Sequence, residues 1–302
     1  MLWRVKYAVI RRLRRLLEKR KDRLSDETFA RLKYLLTVER LPRFRNPRYF
    51  KDHVNALKLW DRNPVRALVA DKLAVRNFVR QRVGEKYLTE LHGQWASAGD
   101  ITFDGLPQRF VLKANHGSAM VRVVLDRDRE DLAAVRQVCA QWLRTDFSAV
   151  QKEWVYRDIP RRVFAEQYLS DGTKPLPLDY KFYVFSGRCG AVHVDVGRPS
   201  RHQRATFDRS FNLLPYRNGF PVPPPGRIAK PENFDEMLSV AEVLGRDFSF
   251  IRVDLYSVHG RVYFGELTNF PDAGFKSMDE ALDRFLGECW RRGLSEGSPS
   301  LA

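Results

Sequence analysis

Residues 250–275, FIRVDLYSVHGRVYFGELTNFPDAGF, restrict the folding of this 302-residue chain more than any other stretch. The pattern of apolar and polar residues predicts two short strands, 250–257 and 261–267. A tight turn through His259 and Gly260 is predicted to join them. The stretch therefore predicts an antiparallel pair of strands.

Charged side chains fall on one face of this predicted hairpin. Because strand side chains alternate, Arg252 and Asp254 share a face, and the apolar residues between them take the other. The second strand ends in Glu266, followed by Thr268 and Asn269. Magnesium ions that accompany nucleotides use one or two protein carboxylates. The hairpin is therefore a candidate magnesium and phosphate site, although a surface hairpin with an Arg–Asp ion pair would show the same residues.

The formal net charge of +16 is concentrated at the start of the chain. Residues 1–23 hold ten Lys or Arg and two acidic residues, which is half of the net charge. Apolar side chains follow a helical spacing there, namely Leu2, Val5, Val9, Leu13, Leu16 and Leu17. A basic amphipathic helix suits an anionic membrane surface, and the alternative is a helix that packs on its own domain. No nucleic-acid-binding motif accompanies the charge, so no nucleic acid is expected.

Composition and cysteine usage indicate the compartment. The chain is 44% hydrophobic, 12% aromatic and 30% charged, as in ordered soluble proteins. Its three cysteines are far apart in sequence and form no metal-binding spacing. No apolar run approaches the roughly 18 residues of a membrane span, and arginines interrupt any signal peptide. We expect a cytoplasmic protein, with peripheral association at the inner membrane.

Two further segments are candidates for phosphate binding. A predicted strand at 109–114 carries Lys113 and leads into the glycine-containing loop 115–118, and a strand at 121–126 follows. Such a flap can fold over phosphates, with the lysine as a point charge and backbone N–H groups as donors. A predicted helix at 71–82 holds Lys72 and Arg76, whose cations can reach a neighbouring ligand.

Later strands add polar residues. The predicted strand 162–169 carries Glu166 and can offer backbone groups to an adenine edge. Asp179 and Lys181 share a face of the strand 179–185. His193, Asp195 and, somewhat later, His202 could bind a transition metal. However, their spacing matches no standard motif, so they are interpreted as polar residues of a cleft.

Six motifs in order resemble the TupA-like ATP-grasp family of bacterial surface-polysaccharide biosynthesis. They are ADKLAVRNFV with VGEKYL, LPQRFVLKANHGSA, EWVYRDIPRRVFAEQYL, DYKFYVFSG, KPENFDEML, and RVDLY followed by VYFGELTNFPDAGF. The resemblance runs from about Pro47 to Trp290. It implies an α+β fold in which two subdomains of the ATP-grasp type clasp ATP behind a basic helical arm. The expected parts are an arm (1–48), a helical part (49–107), a small subdomain with the phosphate loop (108–165), a C-terminal subdomain with the metal site (166–292) and a tail (293–302).

The resemblance also implies a role for each matching residue. The residues expected to bind ATP are Lys72, Arg76, Lys113, Asn115, His116, Gly117, Ser118, Glu166, Gln167, Leu169, Asp179 and Lys181. Those expected to act in catalysis are Lys113 and Arg252, and those expected to hold Mg²⁺ are Asp254, Glu266 and Asn269. Many ATP-grasp ligases read Glu-x-Asn at the second metal segment, whereas Thr268 stands here and Asn269 follows. The second metal ligand is therefore either Thr268 or Asn269.

The activity implied by the resemblance is that of an ATP-dependent carboxylate–amine ligase acting through an acyl phosphate. The implied partners are a glycan or glycan-lipid acceptor, such as one carrying a uronic acid, and an amine or amino acid. An ATP-dependent glycan kinase of the same fold is one alternative. A non-catalytic, membrane-associated scaffold for glycan assembly is the other.

Overall fold

The computed structural model describes residues 2–172, 176–197, 202–224, 226–276 and 278–296. Most of the predicted tail, from residue 297 on, lies outside them. The helices are α1 (Leu2–Arg20), α2 (Asp26–Val38), α3 (Phe50–Trp60), α4 (Pro64–Ala70), α5 (Val75–Arg82), α6 (Leu132–Arg144), α7 (Ser148–Gln151), α8 (Phe234–Gly245) and α9 (Glu280–Glu296). The strands are β1 (Leu91–Trp95), β2 (Phe110–Ala114), β3 (Val121–Val124), β4 (Val163–Gln167), β5 (Asp179–Phe185), β6 (Arg188–Val196), β7 (Gln203–Phe207), β8 (Ile251–Val258) and β9 (Arg261–Thr268).

The smaller sheet has the strand order β1-β4-β2-β3, and all its pairs are antiparallel. Helix α6 covers one face, where Val135 and Cys139 pack against Phe110 and Leu112. The sequence predicts no strand at β1, whose central His-Gly-Gln residues favour strands weakly. Pairing with the apolar strand β4, with a register shift before Gly93, holds β1 in the sheet. This strand comes from the predicted helical part 49–107, and the predicted division into parts stays a prediction.

The larger sheet has the strand order β7-β6-β5-β8-β9, again all antiparallel. Its apolar face packs against α8 and forms the largest core of the protein. Ile251, Val253 and Leu255 are completely buried in that core. The apolar face predicted for the first hairpin strand is therefore confirmed.

The opposite face of the larger sheet is divided into two regions. Near one end of the strands, α3 and α9 cover a cluster of aromatic side chains that includes Phe50, Phe185 and Phe250. Trp290 of α9 stacks on Phe250 with 4.7 Å between ring centroids. The remaining part of this face carries polar side chains and borders the cavity that it forms with the smaller sheet.

The predicted hairpin is formed by β8 and β9. Its two turn residues, His259 and Gly260, both have positive φ angles, of 50° and 72°. This is the backbone that type I′ turns require, and it matches the right-handed twist of the strands. The predicted turn is confirmed.

The N-terminal arm is a pair of helices. Helix α1 lies along α2, held by ion pairs between Glu18 and Lys33 (2.6 Å) and between Lys6 and Glu39 (2.8 Å). Ser25 caps α2 by accepting a hydrogen bond from the Thr28 N–H. Among the described helices, none combines the length and the apolar character that a membrane span requires.

Candidate active site

A cavity of about 590 Å³ lies between the two sheets. Its apolar lining is formed by Val111, Val123, Leu169, Leu176 and Phe264. Its charged lining includes Lys72, Lys113, Lys181, Asp254 and Glu266. Its volume is within the usual range for a small-molecule or cofactor site.

The pairing register of the larger sheet brings the charged residues together. Lys181 of β5 is the cross-strand partner of Asp254 on β8, and Asp254 is the partner of Glu266 on β9. Because cross-strand partners point to the same face, the three side chains form one row above the sheet. Arg252 and Thr268 form the next row along the same strands.

A β-bulge at Gly265 produces this arrangement. Near the turn, β8 and β9 pair in the register of a two-residue hairpin, with Leu255 opposite Phe264. Continued without a shift, that register would place Glu266 opposite Val253, on the apolar face. The extra residue moves Glu266 opposite Asp254. A Cβ atom on Gly265 would lie 3.0 Å from the Asp254 carbonyl oxygen, so glycine suits this position.

Arg252 links the residues of the hairpin face. Its Nε donates to Asp254 Oδ1 (2.6 Å) and its Nη2 to Asp254 Oδ2 (2.7 Å). The same Nη2 donates to Glu266 Oε1 (3.1 Å) and Thr268 Oγ1 (2.9 Å). Burial alone would lower the pKa of Arg252, but the Asp254 carboxylate raises it well above its ordinary value. The guanidinium is therefore a fixed positive charge against two carboxylates that line the cavity.

Lys181 connects this hairpin to the next strand. Its Nζ donates to Asp179 Oδ2 (2.6 Å) and to Asp254 Oδ2 (2.7 Å). Burial opposes the charged form, yet the carboxylates of Asp179 and Asp254 raise the pKa of Lys181. Both oxygens of Asp254 are consequently engaged by cations.

Glu266 is the most accessible carboxylate of the row, with 32% of its side chain exposed. Burial tends to raise its pKa, but Lys72, Arg252 and Lys181 lower that pKa to about 2. The group is therefore ionised throughout the physiological pH range. Its Oε2 lies 3.9 Å from Lys72 Nζ.

The pair of Asp254 and Glu266 fits a magnesium ion that shares a site with phosphates. Such an ion takes one or two carboxylates and completes its octahedron with phosphate and water oxygens. Within the described ranges, no group of three or more His, Cys, Asp or Glu is placed to hold a metal ion. Asp254 would share its oxygens between the ion and the cations of Arg252 and Lys181.

Asn269, the other predicted metal ligand, has a different environment. Its Nδ2 donates to the Arg66 carbonyl oxygen (2.9 Å), and its Oδ1 accepts from Arg66 Nη1 (3.2 Å). Both side chains are almost completely buried, and Asn269 does not line the cavity. Thr268, by contrast, donates from Oγ1 to Glu266 Oε1 (3.2 Å).

On the smaller sheet, Lys113 faces the same cavity from β2. Its Nζ forms an ion pair with Glu166 Oε1 on the neighbouring strand β4. The other oxygen, Oε2, accepts a hydrogen bond from Thr89 Oγ1 (2.8 Å). Arg76 Nη2 donates to the Thr89 carbonyl oxygen (2.6 Å). Arg76 thus contacts Thr89, which in turn holds Glu166, and Thr89 was missed by the sequence patterns.

The predicted phosphate loop is only partly open to the cavity. Asn115 is buried, donates from Nδ2 to Asp71 Oδ1 (2.9 Å) and accepts from the Arg162 N–H (2.8 Å). His116 is also buried, with Nε2 3.0 Å from the Trp142 carbonyl oxygen. Of the predicted loop residues, Ser118 lines the cavity.

Lys72 also contacts the predicted phosphate loop. The carbonyl oxygen of Gly117 accepts a hydrogen bond from Lys72 Nζ. Ala119, which also lines the cavity, has a positive φ angle of 61° that residues with a side chain adopt rarely. The loop thus bends sharply where it meets the cavity.

The predicted adenine hinge runs from the end of β4 into the segment that follows it. Gln167 and Leu169 line the cavity, as does Tyr168 between them. The backbone N–H of Gln167 donates to the Glu90 carbonyl oxygen (2.9 Å) within the sheet. Leu169 follows the end of β4. The apolar walls at Val111 and Phe264 were not singled out from the sequence, although both lie on predicted strands.

A family model described as TupA-like ATPgrasp matches residues 52–291. No curated protein matches the chain. Among solved structures, D-alanine–D-alanine ligase from Bacillus anthracis is 17% identical, with a TM-score of 0.44 over 76% of this chain and 70% of that one. D-cycloserine synthetase DcsG is 12% identical, with a TM-score of 0.41 over 76% and 71% of the two chains.

Proposed function

The chain belongs to the TupA-like ATP-grasp family, and from this membership we propose that it joins a carboxylate to an amine through an acyl phosphate. The predicted family, the α+β ATP-grasp fold and the class of ATP-grasp ligase are confirmed by the match. In the proposed reaction, ATP phosphorylates the carboxylate, and the amine attacks the acyl phosphate to give an amide, ADP and phosphate. Phosphorylation is needed because a carboxylate would otherwise have to expel oxide.

The observation that carries this proposal is that the cavity combines apolar walls with several lysines and carboxylates. An adenine ring suits apolar walls such as Val111 and Phe264, and a triphosphate suits a lining that contains lysines. We assign the hinge of Glu166, Gln167 and Leu169 to the adenine. Glu166 already accepts hydrogen bonds from its neighbours, which supports a role in holding the hinge as well as in reading the base.

The cations at the cavity are proposed to bind and polarise the phosphates. Lys113 and Lys72 line the cavity from the smaller sheet and the segment before α5, and Lys181 lines it from the larger sheet, where Arg252 contacts Asp254. Preorganised cations of this kind stabilise the charge that develops on a transferred phosphoryl group. Arg76 and Asp179 would support the site through Thr89 and Lys181.

The loop 115–118 is proposed to lie over the phosphates. Asn115 and His116 would anchor it through their buried contacts, and Gly117 and Ser118 would approach the nucleotide. A loop held at one end and open at the other can bring backbone donors to a phosphate without losing its position.

Asp254 and Glu266 are proposed to hold Mg²⁺, with Thr268 or Asn269 as the further ligand. A bound magnesium ion would withdraw charge from the phosphate oxygens and so favour attack on the γ-phosphorus. Arg252 orients both carboxylates before any ion binds, because it contacts each of them. The protein's own contribution is thus the fixed position of this row of side chains.

For the acceptor we propose a carboxylate on a cell-surface glycan or its lipid-linked precursor, and for the donor an amine or amino acid. The resemblance to polysaccharide-assembly enzymes supports this assignment. The arm supports association with an anionic membrane, because Val9, Leu13 and Leu16 of α1 are each more than 40% exposed beside exposed arginines.

Hydroxylamine trapping tests the proposed reaction. Protein, Mg²⁺ and ATP would be incubated with uronic-acid-containing glycan fragments and hydroxylamine, and ADP and hydroxamate would be measured. An acyl phosphate predicts hydroxamate in proportion to ADP. A stable phosphorylated sugar would identify a glycan kinase instead, and the absence of both Mg·ATP binding and ADP would favour the scaffold.

A further inference from the structure

A histidine with a buried carboxylate partner lines the cavity. His202 precedes β7 and has 21% of its side chain exposed. Its Nε2 lies 3.0 Å from Oδ1 of Asp195 on β6. The Nε2–H bond does not point at that oxygen, so the two atoms are in ion-pair contact but do not form a well-aligned hydrogen bond.

Two neighbours hold the imidazole in place. The ring of Phe220 lies against His202 with 3.9 Å between centroids and an angle of 35° between planes. Arg204 and Lys276 lie over the same Phe220 ring, at 4.8 and 4.1 Å. The aromatic ring and the carboxylate therefore restrict the imidazole from two directions.

Asp195 is itself fixed as a carboxylate. Arg204 Nη2 donates to Asp195 Oδ2 at 2.8 Å, and Arg204 Nε donates to the other oxygen. Burial would raise the pKa of Asp195, but these hydrogen bonds hold it well below its ordinary value. A carboxylate that stays charged can hold an adjacent imidazole in one orientation.

Lys181 connects this pair to the proposed phosphate site. Its Nζ lies 4.0 Å from Asp195 Oδ2 and 2.7 Å from Asp254 Oδ2. A series of three contacts, through Asp195 and Lys181, therefore connects His202 with Asp254. The charged groups around His202 are Asp195, Arg204, Asp179, Lys181 and Lys276.

The reaction needs a base that these other residues do not supply. An amine donor is mostly protonated near neutral pH and cannot attack until it loses a proton. Asp179, Asp254 and Glu266 accept hydrogen bonds from cations or lie against them. Among the described residues that line the cavity, His202 is the single imidazole.

We propose that His202, oriented by Asp195, is the general base that deprotonates the amine donor, an inference that rests on the proposed ligase function. The ring nitrogen that does not face Asp195 takes one proton from the ammonium group. The freed nitrogen lone pair attacks the acyl carbon, and the C–O bond to the phosphoryl group breaks. Its electron pair leaves with inorganic phosphate, which also receives the second proton of the nitrogen.

Comparing two nucleophiles in His202→Gln tests this assignment. Hydroxylamine is unprotonated near neutral pH and needs no base, whereas an amino acid such as glycine does. Wild-type and variant protein would be given the glycan carboxylate that yields hydroxamate with the wild type. We expect amide formation with glycine to fall about 10²- to 10⁴-fold at pH 7, the usual contribution of a general base, and hydroxamate formation to be retained.

The pH dependence provides a second readout. Amide formation by His202→Gln should rise with pH as the fraction of free amine grows, and so approach the wild-type rate in alkaline solution. His259→Asn, a substitution at the exposed hairpin turn, is the matched control and should behave as wild type. Asp195→Asn should show a smaller loss of the same kind.

The outcomes separate the two proposals. Equal losses of amide and hydroxamate in His202→Gln, with unchanged Mg·ATP binding, would overturn the role of His202 as a base. Equal rates in variant and wild type would overturn it as well. If the wild type forms no hydroxamate with any uronic-acid glycan, the proposed ligase function fails.

Discussion

The cavity and the N-terminal arm both concentrate positive charge, but they do so in opposite ways. At the cavity and against its carboxylates, each of Lys113, Lys181 and Arg252 lies in an ion pair and is largely buried. On α1, Arg12 and Arg15 are exposed, and no carboxylate of the described chain lies within ion-pair distance of them.

This difference separates two uses of the same residue types. Paired, buried cations have fixed positions, so they can stabilise charge at one defined point. Exposed cations on a helix are mobile and screened by salt, so they act through their number on a broad anionic surface. The cavity should therefore respond to single substitutions, and the arm should respond to the sum of its charges.

The largest effect is expected from Asp254→Asn. Removing this charge leaves Arg252 and Lys181 without their shared carboxylate and removes a proposed magnesium ligand. We expect ATP turnover to fall roughly 10²- to 10³-fold, comparable to the loss of one preorganised electrostatic contact. Turnover is measured by ADP release, and binding to anionic vesicles should be unchanged. Asp235→Asn on the surface is the matched control, and near-normal turnover in Asp254→Asn would contradict the assignment.

A smaller effect is expected from removing two charges of the arm. Arg12→Gln combined with Arg15→Gln should weaken binding to phosphatidylglycerol-containing vesicles about 30-fold, at about 1 kcal/mol per charge. Vesicle sedimentation measures the binding, and Mg·ATP affinity should not change. The control double variant, Arg129→Gln with Arg284→Gln, removes the same amount of positive charge from surface positions outside the arm. Vesicle binding that falls equally in both double variants would show that net charge, and not the arm, governs attraction.

Thr268→Val is expected to have a still smaller effect on the proposed site. It removes hydroxyl contacts with Arg252 and Glu266 and keeps the shape of the side chain. Loss of a hydrogen bond to a charged group of about 1.5 kcal/mol predicts an approximately tenfold fall in kcat. Steady-state kinetics at varied Mg²⁺ concentration measures it.

Asn269→Ala serves as the counterpart to Thr268→Val. It leaves Arg66 Nη1 and the Arg66 carbonyl oxygen without their buried hydrogen-bond partner. We therefore expect a loss of about 1–3 kcal/mol in the free energy of unfolding. Urea denaturation measures this loss. If Asn269→Ala instead weakens the Mg²⁺ dependence of turnover more than Thr268→Val does, Asn269 is the second metal ligand.

The smallest effect concerns pH. The folded-state pKa of Glu266, about 2, lies below its ordinary value of 4.5. Its ionisation therefore stabilises the folded state fully above about pH 5, and this contribution is lost as the pH falls toward 2. Urea midpoints should show no contribution from Glu266 between pH 5 and 8. Below that range, Glu266→Gln should lose less stability on acidification than the wild type, and parallel losses would refute the shift.

Several features of the protein followed from the sequence alone. The hairpin at 250–267, its tight turn and its apolar face depend on local alternation and on turn residues, which neighbours in sequence decide. The order of six motifs identified the family, because it samples most of the chain. The predicted helix at 71–82 begins only at Val75. Asp71 instead receives the Leu73 N–H and the Asn115 side chain, so the preceding turn belongs to the loop contacts.

The tertiary structure decided how the site residues meet. Alternation alone puts Glu266 on the wrong face for a partnership with Asp254, and the bulge at Gly265 corrects the register. A glycine inside a strand is the signal that could have indicated this bulge. Thr89 became a site residue only because the segment that leads into β1 is brought beside Glu166, which is remote in sequence. The sequence determines which side chains each strand carries on a given face. Strand pairing determines which charged side chains come into contact, because electrostatic interactions depend on separation in space.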